Sequence, residues 1–321
     1  MKFLNLLILL TINIPIVTAS INGDTTFIEI GITLQTSTGE IFGTLTIPRR
    51  PDKIPVALII AGSGPTDRDG NNPMMKNNSL KILATELSKN GIATLRYDKR
   101  GVADSKAAAK SEKDLRFDDY VSDAKEWIYL LKKDNRFSEV TIIGHSEGSL
   151  IGMLAGMSIN KFISIAGFGQ SADKILKEQL SSQPKVVQDL SFPIIDSLKH
   201  GNTIETVPPM LNSLFRPSVQ PYMISWFKYD PQDEIKKLSI PVLILQGTND
   251  IQVGVENARK LSNANPKAEL FLITDMNHIL RITDGDRQAN LATYSNCNLP
   301  IAEELVKAIT DFIRRDTNID N

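Results

Sequence analysis

The run Val140-Thr141-Ile142-Ile143-Gly144-His145-Ser146-Glu147-Gly148-Ser149-Leu150 restricts the fold more than any other part of the chain. Its first residues read as a buried strand and its last open an apolar helix, with a G-x-S-x-G between them. Turning from strand to helix in so few residues forces the serine into a strained backbone conformation. Only glycine at 144 and 148 lets the neighbouring backbone approach it. Ser146 Oγ is then left free at the carboxyl edge of a sheet, and the Glu147 N–H points into the same space from the helix N-terminus.

The flanking pattern agrees with such an edge. Residues 26–30 and 41–47 alternate apolar and polar side chains around Ser37-Thr38-Gly39, which predicts an antiparallel hairpin. Residues 56–60, 93–97, 140–143, 162–165, 242–245 and 270–273 are short, mostly apolar runs of the kind found in strands covered on both faces. Helical spacing fills residues 80–89, 120–133, 149–157, 255–261 and 302–315 between and after them. Strand and helix thus alternate into an α/β class fold, a mostly parallel central sheet flanked by helices, with its site at the carboxyl ends of the strands. Residues 171–237 fit no strand and carry scattered large apolar residues, so they are expected to form an inserted helical cap. The core is then 20–170 and 238–321, and the cap's Phe215 and Trp226 are expected to shape what the site accepts.

A serine hydroxyl is a poor nucleophile until a base takes its proton, so a histidine must follow the elbow. The chain has three histidines. His145 adjoins the serine but should project elsewhere and pack or hydrogen-bond beneath the turn, and His200 lies in a polar stretch of the cap. His278 follows the strand at 270–273 and is the candidate base. Asp250, the one carboxylate of the loop 246–253, is the candidate partner that orients it. Asp275 lies too near His278 along the same loop and reads as a turn-former. The order Ser146, Asp250, His278 is that of the strand–elbow–helix architecture.

A second oxyanion donor beside Glu147 is expected from the loop Ala61-Gly62-Ser63-Gly64-Pro65-Thr66-Asp67-Arg68-Asp69-Gly70-Asn71, from the N–H of Ser63 or, alternatively, Gly64. The spacing of Asp67, Asp69 and Asn71 lacks the remaining ligands of a calcium loop and reads as a structural turn.

Composition narrows the partners. Lys and Arg total 36 against 37 Asp and Glu, which leaves no basic field for nucleic acid. One cysteine, Cys297, and three histidines without metal-ligand spacing imply neither a metal nor another cofactor, and allow no internal disulfide. At the N-terminus Lys2, an apolar stretch to Val17, and Val17-Thr18-Ala19 read as a signal peptide over residues 1–19. The expected location is secreted or periplasmic, without stable membrane insertion after cleavage. Oligomeric state is open.

These residues resemble the α/β-hydrolase superfamily, and within it the bacterial esterase D-like carboxylesterases that neighbour the S9-type peptidases. The loop from Gly62 to Asn71 is the most distinctive part of the likeness, followed by Arg96-Tyr97-Asp98-Lys99-Arg100-Gly101, where Asp98 and Arg100 would brace the active-site loops. The sequence departs from the pattern at Ala103, where many relatives have glycine, and at Ala61, where many lipases have histidine. The resemblance implies hydrolysis of small acyl esters through an acyl-serine. The residues by themselves imply an acyl-transferring serine hydrolase, with a short-peptide or amide hydrolase as the alternative and a non-catalytic binding module as a remote one.

Overall fold

The computed structural model describes residues 26–315. The expected signal peptide, residues 1–19, lies outside the described residues. Eight strands make one sheet: β1 (Phe27–Thr36), β2 (Gly39–Pro48), β3 (Ile54–Ile60), β4 (Ala93–Tyr97), β5 (Phe137–His145), β6 (Lys161–Ile165), β7 (Val242–Gly247) and β8 (Glu269–Ile273), in the order β1-β2-β4-β3-β5-β6-β7-β8. The hairpin β1–β2 is antiparallel and joins β4 antiparallel, while every pair from β4 to β8 is parallel.

The period-two alternation sorts the inner strands onto two cores. Val56, Leu58 and Ile60 face one cluster, and Ala57, Ile59 and Ala61 the other. Helices α1 (Ser79–Lys89) and, near the end of the chain, α11 (Glu303–Arg314) close the second cluster with Leu83, Leu87, Leu305, Ile309 and Phe312. Helices α2 (Phe117–Lys133), α3 (Glu147–Ala155) and α9 (Val255–Ala264) close the first, with Trp127 and Leu261 fully buried. This double cover is why β3 to β7 read as nearly continuous apolar runs. The edge strand β8 alternates exposed and half-buried residues instead.

Between β6 and β7 the chain forms α4 (Ala172–Leu180), α5 (Lys185–Lys199), α6 (Asn212–Phe215), α7 (Gln220–Trp226) and α8 (Pro231–Ile235), with no strand among them. This helical insertion is tied to α2 and to the turn before it. Ser225 Oγ accepts the Phe117 N–H at 2.8 Å, Trp226 stacks on Phe117 with centroids 6.0 Å apart, and Arg216 pairs with Glu112. The short helix α10 (Arg287–Ala292) follows β8 and braces the loop before it. Among the described residues no helix is long and apolar enough to cross a membrane.

Candidate active site

Ser146 lies at the turn from β5 to α3 with φ 56° and ψ −121°, a conformation that costs a non-glycine residue about 1–3 kcal/mol. The surroundings hold it there. The Ser146 N–H donates to Ile165 O at 2.9 Å, and its carbonyl accepts the Ser149 N–H at 3.0 Å. A Cβ at Gly148 would lie 2.2 Å from Ile60 O, and one at Gly144 would lie 2.4 Å from Gly148 O, so both elbow glycines are required by space. Ser146 Oγ forms no hydrogen bond with any described group and faces a cavity of about 260 Å³ shared with His278, His145, Gly62, Ser63 and Gln252. A nucleophile and base that share a cavity without yet touching is common before substrate binds.

The geometry of the other two candidates is direct. Asp250 Oδ2 accepts from His278 Nδ1 at 2.8 Å, so the imidazole's Nε2 is the nitrogen left to work in the cavity. The carboxylate is itself fixed: Oδ1 accepts the N–H groups of Gln252 (2.8 Å) and Val253 (2.9 Å), and Gln246 Nε2 reaches Oδ2 at 3.2 Å. Burial alone would push the Asp250 carboxyl up. The charge and hydrogen bond of His278, with the two N–H donors, outweigh it and hold the group below the usual carboxylate range. Asp275 adopts φ 57° in the turn, and the carboxylate bonded to the His278 ring is that of Asp250. His200 is exposed, bonded to the Asp196 carbonyl within α5.

On the other side of the cavity lies the loop after β3. A Cβ added to Gly62 would come 3.1 Å from Ser146 Cβ, so this backbone rests against the candidate nucleophile. Among the described residues the N–H groups of Ser63 and Gly64 have no acceptor, and both residues line the cavity. The rest of the loop is held by side chains. Asp67 Oδ1 accepts the N–H groups of Asp69 (2.9 Å) and Asn71 (2.8 Å), which makes the carboxylate a turn-former. Asp69 pairs with the buried Arg96 of β4, which also reaches Glu29 at 2.6 Å. Asp98 accepts the Arg68 N–H at 2.7 Å and the Asp104 N–H at 3.2 Å, and Arg100 grips Asp123 of α2.

Three further residues attach to the site. Lys99, between the two braces, is 1% exposed and bonds both Glu147 (2.9 Å) and the Gly62 carbonyl (2.5 Å). His145 forms a hydrogen bond, Nε2 lying 2.8 Å from His278 O, but it lines the cavity rather than projecting away from it. Asn277 Oδ1 accepts the Ile279 and Arg281 N–H groups, and its Nδ2 donates to Asn290 and Thr293, which fastens the His278 loop to α10. The only sequence signal for any of them is adjacency to a motif residue.

The expectation that Phe215 and Trp226 shape what the site accepts is corrected by their burial, at 0% and 7% exposure. Trp226 packs on Phe117, Phe168, Tyr222 and Phe227, and neither residue lines the cavity. The apolar lining comes from Pro65, Met75, Leu80 and Ile279.

Two solved structures share this architecture over nearly their whole length. The esterase Est1E from Butyrivibrio proteoclasticus superimposes with a TM-score of 0.57 at 18% identity, covering 89% of this chain and 99% of that one. An esterase from Pyrococcus furiosus gives 0.56 at 15% identity, covering 94% and 96%. The fold is that of the α/β-hydrolases. Within that fold, the curated relative Esterase EstD of Thermotoga maritima is 25% identical over 260 residues, 76% of this chain. The chain spans 58% of that relative's length. The family model described as serine aminopeptidase, S33, matches residues 76–200, a stretch that holds Ser146 and stops short of Asp250 and His278.

Proposed function

We propose that the protein is a serine carboxylesterase that hydrolyses small acyl esters through an acyl-serine intermediate. One observation carries the reading: a strained Ser146 opens into the same cavity as His278, whose Nδ1 is held at 2.8 Å by the buried Asp250. In the proposed reaction Ser146 Oγ attacks the acyl carbonyl while His278 Nε2 takes its proton, and Asp250 stabilises the imidazolium that forms. The carbonyl oxygen, now an oxyanion, is received by the N–H groups of Ser63 and Glu147. Collapse breaks the acyl–oxygen bond, and the alcohol leaves with the proton from His278. Water, deprotonated by the same histidine, then attacks the acyl-serine and releases the acid.

The family model described as a serine aminopeptidase favours a second reading, hydrolysis of short peptides at a free amino terminus. Such a substrate presents an ammonium group, and recognition calls for a carboxylate in the pocket. None of the residues lining the cavity is Asp or Glu, so the ester reading stands ahead. The likeness to Esterase EstD supports the same choice.

The test is fluorophosphonate labelling of the purified protein, with the modified residue identified by peptide mass spectrometry, beside turnover of a series of p-nitrophenyl esters and aminoacyl anilides. Labelling at Ser146, ester turnover, and loss of both in Ser146→Ala are expected. Faster cleavage of anilides than of esters would favour the peptidase, and an unlabelled Ser146 would sink both.

A further inference from the structure

The pair Lys99–Glu147 is enclosed, each side chain 1% exposed, with Nζ 2.9 Å from Oε2. Two of the three donors on the ammonium are engaged, one by Glu147 and one by Gly62 O at 2.5 Å, and the face of the Tyr120 ring lies 5.0 Å from Nζ. The second oxygen of Glu147 accepts the Tyr222 hydroxyl of α7 at 2.5 Å. A buried ion pair is seldom more stabilising than an apolar pair of the same size, so stability alone is a weak account of this one. What it does is fix geometry.

Gly62 O and the Ser63 N–H belong to one peptide unit, and in a trans peptide the carbonyl and N–H point in opposite directions. Lys99 is not among the residues lining the cavity, whereas Ser63 is. By holding the carbonyl on the buried side, the ammonium turns the Ser63 N–H toward the cavity and, by drawing electron density onto the oxygen, strengthens it as a donor. Glu147 is thereby linked to both halves of the candidate oxyanion hole: its own N–H is one donor, and its carboxylate anchors the lysine that aims the other. We propose that Lys99 is a positioning residue for the oxyanion hole, acting through the Gly62–Ser63 peptide. The inference rests on the esterase reading above and selects Ser63 over Gly64 as the donor.

The test compares wild type with Lys99→Met, scoring kcat and KM on a p-nitrophenyl ester and the affinity of a trifluoromethyl ketone, whose hemiketal oxyanion mimics the tetrahedral intermediate. Removing the ammonium alone leaves Glu147 charged and buried, so Lys99→Met/Glu147→Gln, which removes both charges, is measured as well and decides the matter if the single variant does not fold. The expected result is a fall of about 10- to 100-fold in kcat, short of the 10²- to 10³-fold for deleting a donor outright, with KM little changed. The ketone's affinity should fall in parallel. A folded variant that keeps kcat and ketone affinity within about threefold of wild type, or one that changes KM alone, would overturn the proposal. The wild-type fluorophosphonate result is read first: an unlabelled Ser146 there removes the esterase reading, whereas labelling with unaltered Lys99 variants removes only the role of Lys99.

Discussion

His145 Nε2 lies 2.8 Å from the carbonyl oxygen of His278, so the residue before the candidate nucleophile holds the backbone of the candidate base. A carbonyl only accepts, so Nε2 must carry a proton and, in the neutral ring, Nδ1 must not. The two rings are tilted at 51° with centroids 4.7 Å apart. Burial, with the neighbouring His278 second, pushes the His145 imidazole down to about 3 from an ordinary 6.5.

That depression makes stability depend on pH. Between pH 6.5 and pH 3 the unfolded chain binds a proton at His145 that the folded chain refuses, so stability rises with pH across this window and is lost as pH falls. Urea unfolding at pH 7 and pH 5 should show wild type losing about 1–2 kcal/mol more than His145→Gln on this account, the glutamine amide still being able to donate to the carbonyl. Equal losses in the two proteins would mean that His145 titrates normally in the fold.

Asp250→Asn separates orientation from packing. The side chain keeps its size, but an amide nitrogen can face His278 Nδ1 and favour the wrong tautomer, and the compensating charge for the imidazolium is gone. The ester kcat should drop about 10⁴-fold with the circular dichroism spectrum unchanged. A loss below tenfold would point to Asp250 as a loop brace, since it also accepts the Gln252 and Val253 N–H groups.

The meeting of Ser146, Asp250 and His278 in one region was legible because each follows a strand that the pattern announces, and strand ends converge at one edge of the sheet. The hairpin, the inner strands and the helices around them were legible for the same reason: their periodicities of two and 3.6 residues are local properties. Lys99 was not. Its role depends on β4 lying beside β3 and β3 beside β5, an order that no local pattern encodes, and on a partner at Glu147 in another motif. The individual helices of the insertion were also illegible, since most are short, α5 carries Pro193 inside, and their apolar residues join the cluster that α2 also enters.

The burial of Trp226 and Phe215 turns an expected specificity effect into a stability effect. Either residue replaced by alanine should cost about 3–5 kcal/mol in urea unfolding while the shape of the acyl-length profile stays as in wild type. The profile should respond to the residues that line the cavity. Met75→Ala enlarges the apolar wall and should raise the rate on longer acyl chains relative to acetate by about 10-fold or more, the scale of one or two methylene groups. A profile that moves with Trp226 and not with Met75 would place the acyl chain on the side of the insertion.

Ala103 is one of the two departures from the resembled pattern, and its backbone has a conformation that glycine favours: its φ is 43°, in the left-handed region. The turn is needed because the next residue's N–H must reach Asp98 Oδ2 at 3.2 Å, and Asp104 also pairs with Arg68 of the loop after β3. An alanine there pays roughly 1–2 kcal/mol of strain that glycine escapes. Glycine in turn makes the unfolded chain more flexible, which costs about 0.4–1 kcal/mol. The strain is the larger quantity, and the exposed methyl group gives up no packing. Ala103→Gly should therefore stabilise the protein by about 0.5–1 kcal/mol, read as a higher urea midpoint at an unchanged slope. A lower midpoint would show that the alanine is accommodated without strain and that the larger entropy of the unfolded glycine chain decides the sign.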